Sequence, residues 1–215
     1  MKMISHIERF ENLGDNCEFA FYLRASGVDE GSLFRWTLVK NYWSLLNLLQ
    51  SDFQGLFEFE NLRPSWQDMV LDTKYDMCFH TKMYSENHDG KWLWKQDKKV
   101  LDEIFLEEKN KISYLVSKFK SSLIKKERIF VMKNNANNLD TFVVELAKEI
   151  RKHGDAKILY VKSDGIGFDN NKESIEKISS NLYVTYIEKF AEYNKADDLS
   201  KDGWDNVIRN ALLIM

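Results

Sequence analysis

The chain is poor in the residues that build linkers. One proline and nine glycines in 215 residues leave no stretch that reads as a long flexible connection. A single α/β domain over residues 1–215 is expected, with a small insertion at about residues 60–100. Cysteine is scarce as well: Cys17 and Cys78 are the only two. They make no disulfide framework, so both are read as reduced thiols of a cytoplasmic protein. No apolar run approaches the roughly 18 residues a membrane span needs, and the opening "MKMISHIERF" is too short and too charged for a signal peptide. Charge of one sign is also lacking. With 31 Lys and Arg against 34 Asp and Glu, interspersed for a net charge of −3, neither nucleic acid nor an anionic membrane is expected as a partner. What is present is 44% hydrophobic and 13% aromatic residues, enough for one aromatic-rich core.

The pattern along the chain is mixed at first and regular later. "HIERFENLG" reads as a strand, followed by a helix at residues 16–26, with Asp15 as N-cap, Glu18 completing a capping box and Gly27 as the stop. "SLFRWTLV" reads as extended and "KNYWSLLNLLQSDF" as an apolar helix. "VLDTKYDMCFHTKMY" reads as a strand pair in which Cys78 and His80 share a face. "SENHDGKWLWKQDKK" reads as a polar surface loop or insertion. Residues 101–123 carry the clearest amphipathic periodicity. Thereafter "RIFVMK", "AKILYVKSD" and "NLYVTYIEKF" read as strands, alternating with helices in "NLDTFVVELAKEIRKHG", "ESIEKISS" and "GWDNVIRNALLIM". That alternation predicts a layered α/β fold: a mostly parallel sheet flanked by helices, Rossmann-like and three-layered, with a β-containing insertion in the middle.

Within this frame Cys17 carries the most chemistry. A thiol in the first turn of a helix is next to unpaired N–H groups that favour the thiolate, and the turn after a strand's carboxyl end is where α/β sheets bind ligands. Backbone N–H groups there, with Asn16, form a candidate oxyanion site. A buried, inert cysteine is the competing reading. A nucleophile needs a base, and of four histidines only His80 is placed by this pattern to face Cys17. Coordination of zinc by Cys17, Cys78, His80 and an aspartate is the rival use of the same residues, but no CxxC or HxxxH pair accompanies them, and no metal is expected.

Other candidates are loops. Lys133 and Asn134 end a strand in "VMKNNANN" and suit an anionic or sugar substrate, or simply a polar connection. The "SDGIGFDN" loop, residues 163–170, holds a GxG without the rest of a phosphate cradle. Trp92 and Trp94 in "KWLWK" suit a carbohydrate-stacking ledge or core cover. Arg35 before Trp36 suits either a substrate contact or a structural ion pair.

"LGDNCEFAFYLRASGVDEGSLFRWTLV", "LDTKYDMCFHTKMYS" and "KFKSSLIKKERIFVMK" together resemble, in matching order, a bacterial family of papain-like cysteine peptidases of unknown function. The resemblance implies Cys17 as nucleophile and His80 as base. The family's Phe-Asp-Trp stands here as Phe34, Arg35 and Trp36, its His-Asp as His80 and Thr81, and its strand-closing Arg as Lys133. It also implies a setting in surface-polysaccharide synthesis, where a capsule enzyme with a similar Gly-Asn-Cys turn works with coenzyme A. The function expected is acyl transfer from an ester, thioester or amide to water or a saccharide, with no required cofactor and coenzyme A or another acyl donor as candidate co-substrate. The alternatives are a non-catalytic sugar- or nucleotide-binding subunit and a glycosyltransferase.

Overall fold

The computed structural model describes residues 6–163 and 175–215. Strands β1 (Phe10–Asn12), β8 (Ile129–Lys133), β9 (Lys157–Ser163) and β11 (Leu182–Ile187) run parallel, in the spatial order β1-β8-β9-β11. The two-residue strand β10 (Glu176–Lys177) closes this sheet antiparallel to β11. Of "ESIEKISS", expected as helix, residues 173–174 lie outside the described residues, and the remainder contributes an edge strand. Its pairing with Val184 and Tyr183 overrides a weak local preference.

Alternate side chains of the sheet feed two cores. Phe130, Met132, Ile158 and Tyr160 pack with α2 (Tyr42–Gln50), α3 (Lys98–Ile124) and α4 (Asp140–His153). Ile129, Val131, Leu159 and Val161 pack with α1 (Glu18–Ala25) and α5 (Lys201–Ile214). Burial on both faces explains why β8 is wholly buried and reads as a continuous apolar run.

Between α1 and α3 the chain builds a second, antiparallel sheet. Its order is β2 (Thr37–Val39), β5 (Met77–His80), β4 (Met69–Asp72), β3 (Leu62–Trp66). The antiparallel unit thus begins well before residue 60. Met77 and Phe79 point into the core, while Cys78 lies on the opposite side of the strand against Ser65. The tract "SENHDGKWLWK", expected as a loop, is the hairpin of β6 (Ser85–His88) and β7 (Lys91–Trp94). Asp89 and Gly90 both take positive φ, 51° and 85°, the Asp-Gly turn whose twist matches that of paired strands.

The turn after β1 is held by a close approach. Gly14 has φ 106°, and a Cβ there would run into Val39 on β2, so the position requires glycine on two counts. Asp15 follows with φ 78°. This sharp reversal puts residues 15–18 directly over the carboxyl ends of β1 and β8.

Candidate functional site

The start of α1 differs from the expected capping box. Glu18 N–H is taken by the Asn16 side chain at 3.1 Å, and Cys17 occupies the N-cap without a side-chain cap bond. Asp15 and Glu18 are thereby released from capping and turn inward. Both are buried, and both face the ammonium of Lys133 at the end of β8. Nζ lies 3.2 Å from Asp15 Oδ2 and 2.8 Å from Glu18 Oε2. Neither oxygen has a hydrogen-bond donor in line with it, so these are charge contacts. Lys133 spends its in-line bond on Asn135 Oδ1, at 2.7 Å.

The remaining carboxylate oxygens take neutral donors. Trp204 Nε1 donates to Glu18 Oε1 at 2.9 Å, and the Tyr42 hydroxyl donates to Asp15 Oδ1. Asn134 in turn donates to the Tyr42 oxygen at 3.0 Å, while its own carbonyl receives Ala136 N–H at 3.0 Å. Asn134 thus shapes the loop after β8 as well as facing the cluster. One ammonium against two carboxylates leaves a buried group with a formal charge of −1, tolerable only because every member is paired.

The connection between β11 and α5 covers this cluster. Asn16 Nδ2 donates to the carbonyl of Tyr193 at 3.4 Å, Asn135 Nδ2 to that of Ala191 at 2.9 Å, and the Phe190 ring lies 4.7 Å from Lys133 Nζ. The half-exposed Tyr193 has its hydroxyl pKa pushed up to about 12, first by burial and then by its charge interactions with Asp15, Cys17 and Cys78. Cys17 is half-buried in this setting. Burial raises its thiol pKa, and the attraction of Lys133 offsets that only in part. For the thiol, desolvation therefore outweighs the neighbouring cation.

His80 stands elsewhere. Its Nδ1 is 2.9 Å from Asp68 Oδ2, and its ring is exposed along an apolar cavity of about 310 Å³ shared with Trp36, Phe79 and Ile112. No hydrogen bond joins it to Cys17, nor does any other histidine among the described residues meet the thiol. The expected Cys17–His80 dyad is not assembled in this conformation, because His80 leaves β5 toward the β3–β4 turn. Arg35 is buried and donates to the carbonyls of Glu30, at 3.0 Å, and Val28. It braces the chain leaving α1, with its guanidinium 3.9 Å from Asp29 Oδ1. Ser163, at the end of β9, is bound by Asn137; the rest of the "SDGIGFDN" loop lies outside the described residues. Among the described residues no three His, Cys, Asp or Glu side chains are grouped to hold a metal ion, and no helix is long and apolar enough to cross a membrane.

The parts that sequence reasoning passed over are Asp15 and Glu18 as charge partners of Lys133, and Tyr42, Asn135 and Tyr193 around them. The available signal was positional: a lysine ending a strand and a carboxylate-rich turn ending its parallel neighbour have to meet at one sheet edge. No family model matches the chain, nor does any curated protein or solved structure.

Proposed function

We propose that the chain is a cysteine-dependent acyl-transfer enzyme, a hydrolase or acyltransferase of papain-like type on a Rossmann-like layered frame. The observation that carries this reading is the seat of Cys17. It caps α1 at the carboxyl end of a parallel strand, beside the buried ammonium of Lys133. In the reaction, Cys17 Sγ bonds to the carbonyl carbon of an ester, thioester or amide, and the bond to the leaving group breaks. The thiol proton departs on the leaving heteroatom. Lys133 favours the developing thiolate, and the N–H groups at the start of α1 that Asn16 leaves free serve the oxyanion. Water or a saccharide hydroxyl then takes the acyl group from sulfur and restores the thiol. Coenzyme A thioesters suit the donor role, and surface-polysaccharide synthesis suits the setting.

A second reading, a non-catalytic sugar- or nucleotide-binding subunit, is favoured by one observation: among the described residues the thiol meets no imidazole, and His80 pairs with Asp68 instead. Incubation with acetyl-coenzyme A or p-nitrophenyl acetate, followed by peptide mass spectrometry, separates the two. Acyl transfer predicts an acetyl group on the Cys17 peptide and none there in Cys17→Ala, with loss of turnover in that variant. Undiminished turnover in Cys17→Ala, or labelling confined to lysines, overturns the enzymatic reading and leaves the second.

A further inference from the structure

Away from Cys17, the hairpin β6–β7 and the β3–β4 turn border an open cleft of about 630 Å³ that the chemistry above does not use. Trp92, Tyr84, Gln67, Asp68, Asn87 and Lys95 line it. Trp92 lies directly opposite Asn87 across the hairpin, so the two share a face. One pair further along that face, Ser85 is buried and Trp94 packs into the core. The hairpin is thus anchored by Trp94, while Trp92, half-buried, lies between Trp66 and the cleft. Trp66 meets Trp92 with ring centroids 5.3 Å apart and planes inclined by 45°. Yet Trp66 is 58% exposed and Tyr84 47% exposed, leaving wide ring surface in water next to a concave space.

The polar atoms around these rings have spare capacity. Asp68 gives Oδ2 to His80 and keeps Oδ1. Asn87 gives Oδ1 to Gly90 N–H and keeps its amide N–H groups. The side chains of Gln67 and Lys95 have no partner among the described residues. Donors and acceptors of both kinds therefore surround aromatic faces, in a space of the size small ligands occupy. An apolar ligand would strand the amides and the carboxylate, and an anion would meet Asp68 and Glu86 against the single charge of Lys95. A pyranose matches both halves: its C–H face covers a ring, and its hydroxyls donate and accept at once.

We propose that this cleft binds a pyranose oligosaccharide, with one sugar ring stacked on Trp92 and its hydroxyls held by Gln67, Asp68 and Asn87. The inference is judged by binding alone, so a failed acylation at Cys17 leaves it standing. The test is titration of the full ¹⁵N-labelled chain with maltotriose, cellotriose and triacetylchitotriose, following the indole N–H signals. At least one trisaccharide shifts the Trp66 and Trp92 signals saturably. Trp92→Ala weakens that binding roughly tenfold, the scale of one lost aromatic contact, and Gln67→Ala weakens it with the hairpin intact. Trp43→Ala, at a distant exposed ring, leaves it unchanged. Silence of both indoles toward all three sugars, response to a peptide mixture but to no sugar, or undiminished binding in both cleft variants overturns the proposal.

Discussion

Lys133→Met tests the buried charge cluster most directly. Methionine keeps much of the length and volume of lysine but removes the only cation among the described residues that faces Asp15 Oδ2 and Glu18 Oε2, two atoms with no hydrogen-bond donor. Solvent cannot replace it, because Lys133 is 1% exposed, Glu18 0% and Asp15 2%. Breaking a buried pair in this way costs about 3–5 kcal/mol, a large share of the 5–15 kcal/mol typical of a domain. For a chain of this size that is a fall in Tm of roughly 6–20 °C. Urea unfolding of the wild type, Lys133→Met, Glu18→Gln and the double variant gives the coupling. Adding Glu18→Gln to Lys133→Met should restore at least about 1 kcal/mol, since it removes one uncompensated charge. A loss below about 1 kcal/mol in the single lysine variant refutes the argument. So does a large loss that Glu18→Gln does not relieve, because the cost would then be packing alone.

Three further outcomes follow from the same geometry. Iodoacetamide labelling of Cys17 should have its pH midpoint above the free-thiol value of about 8.5, since burial disfavours the thiolate more than Lys133 favours it. In Lys133→Met the midpoint should rise further, and a midpoint below the free value would contradict the electrostatics. Gly14→Ala should destabilise by about 2–4 kcal/mol through positive-φ strain and the clash with Val39; urea midpoints unchanged from wild type would refute the close packing of the β1 turn. Asp97→Ala removes the acceptor for Val100 N–H at the start of α3 and should cost about 1 kcal/mol, read as a fall in helical stability by circular dichroism.

The parallel half of the fold was legible because its local and global signals agree. "RIFVMK" and "AKILYVKSD" are apolar runs of strand length, each bounded by turn residues, and the helix between them has an apolar stripe and a glycine stop. The antiparallel half was less so. "SENHDGKWLWK" is polar enough to pass for a loop, yet its Asp-Gly pair sits between two residue runs that face each other, and turn chemistry outweighs polarity there. "ESIEKISS" misled for the opposite reason: a two-residue edge strand draws its stability from β11 and leaves almost no mark on its own composition.

The site was legible in position but not in wiring. A strand end, a glycine reversal and a cysteine at a helix start locate residues 13–18 without coordinates, since all three are local. Whether Glu18 bonds its own helix start or a lysine 115 residues later (133 − 18) depends on what lies across the sheet edge. Asn16 occupies the Glu18 N–H, which frees the Glu18 carboxylate for Lys133 and Trp204. The same holds for His80. Strand alternation put it on the Cys78 face, but that face looks toward the β3–β4 turn, and Asp68 captures the ring. Periodicity tells which side of an element a group occupies, and only the packing of elements tells what it meets there. The ionisation of Cys17 is likewise shifted by burial and, in the opposite sense, by Lys133, two influences carried from other parts of the chain.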